Sequence, residues 1–248
     1  MKKIVLLLLL FCRSLQAQTP GLINSIGFYT SDGNTFDSST FGTINTTGAN
    51  FVAVALVEAA TGTATVSDNF SNSYALACSL VDPSGSSRRV SMWRAVNLDS
   101  SHVGSGHFWT VTCTGCFAAA MAQAWSNMAA APDDNTSTGS DTDGTITLGT
   151  LTPSVASNVL ITAVGRYLAS SIDSSFTTAP LPFIDFAGNN FGIAMAYKVQ
   201  ATATSAAPTW TMAALTNTNF ACMADFKGVT AAPAGPKPGT LVTLGAGR

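Results

Sequence analysis

One pattern of aromatic and small residues occurs twice along this chain, in the same order and roughly a hundred residues apart. Phe-Trp-Thr-Val-Thr at 108–112 returns as Thr-Trp-Thr-Met-Ala at 209–213, an offset of 101. At that offset, Ala-Ala-Ala-Met-Ala-Gln-Ala-Trp at 118–125 falls on Asn-Phe-Ala-Cys-Met-Ala-Asp-Phe at 219–226. Met-Trp-Arg-Ala-Val at 92–96 matches Ala-Tyr-Lys-Val-Gln at 196–200 at offset 104, which aligns Trp93 with Tyr197. Asp68-Asn69-Phe70 matches 173–176 near offset 105, and residues 50–56 match 158–164 at offset 108. Matched order with drifting offsets is the signature of a duplicated unit with insertions in its loops.

The repeated unit reads as strands. Tyr74, Leu76, Cys78 and Leu80 alternate with small residues, as do Trp109, Val111 and Cys113 with Thr110 and Thr112. Phe220, Cys222, Ala224 and Phe226 share one face. A period of two, rich in Thr and aromatics, means β-structure. Gly, Asn, Asp and Ser cluster between the runs, where turns need them. The alanines of 117–128 invite a helix, but the alternation of the matching segment makes both strands. About ten strands are expected, in an all-β, antiparallel β-sandwich of jelly-roll or lectin-like type. The expected organisation is a signal peptide at 1–17 and a first unit at 18–132. An acidic, Gly/Thr-containing linker loop at 133–149 leads to a second unit at 150–228. A Pro/Gly-rich tail at 229–248 follows.

The first residues set the compartment. Lys2 and Lys3 precede an unbroken apolar run at 4–11, and Ser14, Ala17 and Gln18 offer a small-residue exit. This predicts a secretory signal cleaved after Ala17. Eight apolar residues fall short of the roughly 20 that cross a bilayer, so no membrane span is expected. The expected location is extracellular or periplasmic, including the cell surface. Beyond the signal, 8 basic residues face 13 acidic ones, too few cations for a nucleic-acid surface. Four cysteines remain, Cys78, Cys113, Cys116 and Cys222, an even number that favours disulfides in an exported chain.

Several stretches also carry a resemblance. They are Ser-Asp-Asn-Phe-Ser-Asn-Ser-Tyr at 67–74, Val-Gly-Ser-Gly-His-Phe-Trp-Thr-Val-Thr at 103–112, Ala-Met-Ala-Tyr-Lys-Val-Gln at 194–200 and Pro-Thr-Trp-Thr at 208–211. Over about residues 25–228 the chain resembles a group of uncharacterised bacterial and phage-associated secreted proteins, lectin-like and built of β-sandwich units. The resemblance implies that fold and an extracellular or surface setting. The group has no assigned activity, so it implies no functional residue.

The chemistry-bearing residues form four sets. Cys113-Thr114-Gly115-Cys116 reads as a disulfide across a tight turn, with Cys78 and Cys222 as the remaining pair. The competing reading adds His102 and His107 to give zinc four ligands. Gly104-Ser105-Gly106-His107 with Asp99 suggests a nucleophile, but lacks the strand–turn–helix context of a hydrolase elbow and reads as a turn. Asp133, Asp134, Asp141 and Asp143 form a candidate Ca²⁺ loop, lacking the Glu of a complete one. Trp93, Trp109, Trp125 and Trp210 offer sugar-stacking faces, but paired positions in the repeat point to core. Tyr167, Asn189 and Asn190 lie near loops and are the candidate ligand-binding residues. Asn45, Asn69 and Asn135 begin glycosylation-type triplets.

These features lead to an expected function as a secreted, non-enzymatic binding or surface module recognising glycan or a cell surface. The alternative is a structural or adhesion subunit of a fibre, envelope or phage particle that self-associates. An extracellular hydrolase is third, for want of an acid–base pair.

Overall fold

The computed structural model describes residues 18–30, 35–59, 64–85, 87–113, 117–131, 135–142, 144–167, 172–179, 183–184, 191–212 and 219–229. All regular structure there is β apart from one short 3-10 turn at Ser38–Thr40. The strands of the first half are β1 (Gly21–Thr30), β2 (Thr35–Asp37), β3 (Phe51–Ala59), β4 (Thr65–Asp68), β5 (Ala75–Val81), β6 (Arg88–Val96), β7 (Trp109–Thr112) and β8 (Phe117–Ser126). Those of the second are β9 (Thr136–Asp141), β10 (Thr145–Thr147), β11 (Asn158–Tyr167), β12 (Ile172–Ser174), β13 (Thr177–Thr178), β14 (Phe183–Ile184), β15 (Phe191–Gln200), β16 (Thr209–Met212) and β17 (Asn219–Lys227). The alanine-rich 117–128 is therefore a strand over most of its length. The stretch expected as a linker loop contains β9 and β10. Its Thr and Ser residues alternate sides of a pleat, and β9 pairs with β17 along the sheet edge.

The strands build four antiparallel sheets. One large sheet runs β1-β8-β3-β6-β5, and the other runs β13-β15-β11-β17-β9 with β14 also on β15. Two small sheets are ordered β2-β7-β4 and β10-β16-β12. The large sheets pack face to face. Phe51, Val57, Met92, Met121 and Trp125 of one share a core with Ile161, Met195, Phe220 and Phe226 of the other. The two sequence units thus form one sandwich with a common interior. Each large sheet also buries its outer face. Val52, Val54, Leu56 and Ala120 lie against Trp109 and Val111 of the first small sheet. Leu160, Val164 and Ala221 lie against Ile146, Trp210 and Met212 of the second. Central strands apolar on both faces are what a four-layer stack requires.

The halves share strand order and register. Phe51 stands opposite Trp125 and Val96, and Val159 stands opposite Phe226 and Val199. This register shifts one expected match. Trp93 faces Val54 and Tyr197 faces Ile161, so the counterpart of Trp93 is Ala196, opposite Thr162. The offset along β6 and β15 is 103, not 104. A one-residue slip reverses the face of a side chain. Trp93 accordingly joins the outer core and Tyr197 the inter-sheet core, edge-on to Trp125 at 4.8 Å.

Cys78 of β5 is disulfide-bonded to Cys222 of β17, tying the large sheets together. Cys113 is also disulfide-bonded, while Cys116 lies outside the described residues. Two ion pairs with buried carboxylates brace the start of β6. Arg89 Nε donates to Glu58 Oε1 at 2.7 Å, and Arg88 meets Asp82 at 3.0 Å.

Candidate functional site

A dense polar cluster sits at the end of β4, in the first small sheet. Asp68 closes that strand opposite Trp109. Its Oδ1 accepts from the backbone N–H groups of Phe70 and Asn72, both at 3.0 Å. This turn chemistry places Ser71 at φ 59 and aims the carboxylate inward. Asp68 Oδ2 accepts from Asn72 Nδ2 at 2.7 Å and Tyr74 OH at 2.6 Å, and meets His107 Nε2 at 3.1 Å. The other ring nitrogen of His107 lies 2.8 Å from Thr46 Oγ1. The imidazole stacks on Trp109 at 4.1 Å and meets Phe70 edge-on at 4.8 Å. Trp109 Nε1 donates to Tyr74 OH at 2.7 Å, closing a loop of bonds.

Burial alone raises a carboxylate pKa. Here the bonds from His107, Tyr74 and Asn72 outweigh it and hold Asp68 at about 2. Burial, with Asp68 adjacent, pushes the Tyr74 phenol well above its ordinary value. The Asp68 and His107 side chains have no exposed surface, and both ring nitrogens are engaged. The bonds of this cluster fasten the first small sheet to the 44–46 loop and to Tyr74, the residue before β5.

The nucleophile reading fails on this geometry. His107 is committed to Asp68 and Thr46 rather than to Ser105. Asp99 lies with Ser101 and His102 in an exposed turn. The Ser101 hydroxyl, chiefly, and His102 hold Asp99 at about 2. Ser101 Oγ and Asp99 Oδ1 both contact His102 Nδ1, at 3.1 and 2.8 Å. A catalytic triad needs them on opposite ring nitrogens. The zinc set is not assembled either, since Cys113 is disulfide-bonded and the two histidines serve separate clusters. Among the described residues no group of three or more His, Cys, Asp or Glu could hold a metal.

Other candidate residues are scattered. Asp141 ends β9, accepts from the N–H of Thr142, and lines a shallow groove with Pro83, Ser84, Ser140 and Thr142. Asp133, Asp134 and Asp143 lie outside the described residues, as do Asn189 and Asn190. Tyr167 ends β11 opposite Phe191. Trp109, Trp125 and Trp210 are fully buried, and Trp93 alone of the four is half-buried.

The surface also carries an apolar strand edge. Leu76 and Val81 of edge strand β5 are 48% and 56% exposed. A bulge at Ala77 brings them to one face, because Leu76 stands opposite Trp93 and Val81 opposite Arg89. The sequence signal was present: Ala75–Val81 has no charge and no proline, unlike a guarded edge.

No protein-family profile and no curated protein matches this chain. Among solved structures, a chain titled "Cucumber Leaf Spot Virus" aligns over 90% of this chain and 94% of its own. The identity is 10% and the TM-score 0.20, below the level of a shared fold.

Proposed function

We propose that the protein is an exported, non-enzymatic surface module whose work is assembly, as a structural or adhesion subunit. The observation that carries this reading is the neutral, apolar edge of β5 on an otherwise close-packed four-layer stack. Solvent-facing apolar side chains on an unguarded strand are costly to keep and suit a protein contact. The disulfide between β5 and β17 fits an oxidising compartment. Light scattering of the purified chain over rising concentration tests the reading. The mass is expected to rise, and a constant monomer mass would overturn it.

A second reading, glycan recognition, rests on Trp93. Its indole donates to Ser91 Oγ at 3.2 Å and is half-buried, beside exposed Leu76 on the outer face of the large sheet. Aromatic faces of this kind suit the apolar faces of sugars. Retention on insoluble polysaccharides or cell walls, lost in Trp93→Ala, would support it. Equal behaviour of the two proteins would remove it.

A further inference from the structure

We propose that β5 is a self-association edge: two copies pair their β5 strands antiparallel about a two-fold axis at Ser79, fusing two five-stranded sheets into one of ten strands. This rests on the assembly reading above and names its contact.

The register follows from the bulge. Along β5, Val81, Ser79 and Leu76 stand opposite Arg89, Ser91 and Trp93, so they share the outer face. Leu80 and Cys78 stand opposite Val90 and Met92 and face the inter-sheet core. A two-fold at Ser79 then sets Val81 against Leu76 of the second copy, and Leu76 against its Val81. Leu80 meets Cys78 on the inner face. Every facing pair lies on a common side, which strand pairing demands. The strand has no charged residue, so no like charges meet.

A second copy of β5 is the occupant because the match is to itself, as an isologous contact requires. Among the described residues no strand pairs with the outer side of β5. The other edges of the two large sheets are guarded. Segment 145–149 covers β9: Ser137 Oγ donates to Gly149 O, and a Cβ on Gly139 would meet Ile146 at 3.0 Å. Strands β13 and β14, placed like β5 in the second sheet, have two residues each. β1 is bulged at Ile23, and Asn24 reaches across to Asn45 O. A single open edge among the described strands of the large sheets closes at two copies rather than growing a fibre.

The test uses the full chain carrying L76K and V81K together, and a second form carrying L76E and V81E. Each doubly substituted pair sets like charges opposite each other twice. The lysine form is expected to shift the dimerisation midpoint at least tenfold to higher concentration, with an unchanged melting temperature. Mixing the two forms is expected to restore the dimer. Ser79→Cys is expected to give a covalent dimer under mild oxidation, whereas Thr47→Cys, exposed elsewhere, is not. If association persists unchanged in the lysine form, the β5 contact is wrong and the assembly reading survives. If the unmodified chain stays monomeric at every concentration, both fall.

Discussion

A Cβ placed on Gly165 would lie 2.7 Å from Cγ2 of Val57, the residue at the equivalent position of the other large sheet. Val57 stands opposite Val90 and Ala119, and Gly165 opposite Ile193 and Phe220, so the halves touch at matching points. Gly165→Ala should therefore destabilise by about 1–3 kcal/mol through overpacking. Val57→Ala in the same chain should recover part of the loss. Urea unfolding of the two single variants and the double variant measures the coupling.

Asp68 ties the first small sheet down only while it is ionised. Its folded pKa of about 2 lies below the ordinary 3.8, so its contribution is complete above about pH 4. It fades as pH falls through about 2 and is worth about 2 kcal/mol. Stability measured against pH should fall across that window in the unmodified chain. Asp68→Asn should be less stable at pH 7 and flatter below pH 4.

The Cys78–Cys222 bond closes a span of 144 residues. A loop of that length restrains the unfolded chain by about 4 kcal/mol or more. Replacing both cysteines with alanine should lower stability by a few kcal/mol. Calorimetry of the two proteins under non-reducing conditions reads the difference.

Two buried tryptophans should respond differently to the same change. Trp109 Nε1 donates to Tyr74 OH, whereas the buried Nε1 of Trp125 has no partner among the described residues. Trp109→Phe loses a bond inside the Asp68 network and should cost about 1–3 kcal/mol. Trp125→Phe also removes an unsatisfied donor and should cost less. A smaller loss in Trp109→Phe would contradict the network's structural role.

The Asp68 network shows where reading a repeat succeeds and where it stops. Phe176 N donates to Ser174 Oγ, as Phe70 N does to Asp68 Oδ1. Thr209 N donates to Ser175 Oγ, as Phe108 N does to Asn69 Oδ1. The turn is kept in both halves, and Ser174 and Pro208 stand where Asp68 and His107 do. The sequence match near offset 105 set Asp173 against Asp68, and only the pairing of Ser174 with Trp210, as of Asp68 with Trp109, shows that the charged pair is confined to the first half. Its meaning was not legible either, because Thr46, Tyr74 and Trp109 join it only through the packed layers.

The amino-acid sequence by itself determined that the described residues fold as β-strands and that those strands recur in order. Period-two alternation and turn residues are local, and folding cannot hide them. The Cys78–Cys222 pairing is expected from the sequence and is present in the structure. Only the tertiary structure decided that both units share one sandwich and that Trp93 and Tyr197 face opposite ways. Those outcomes depend on strand register and on contacts between sheets. A single-residue slip leaves the local pattern almost unchanged while reversing every side chain.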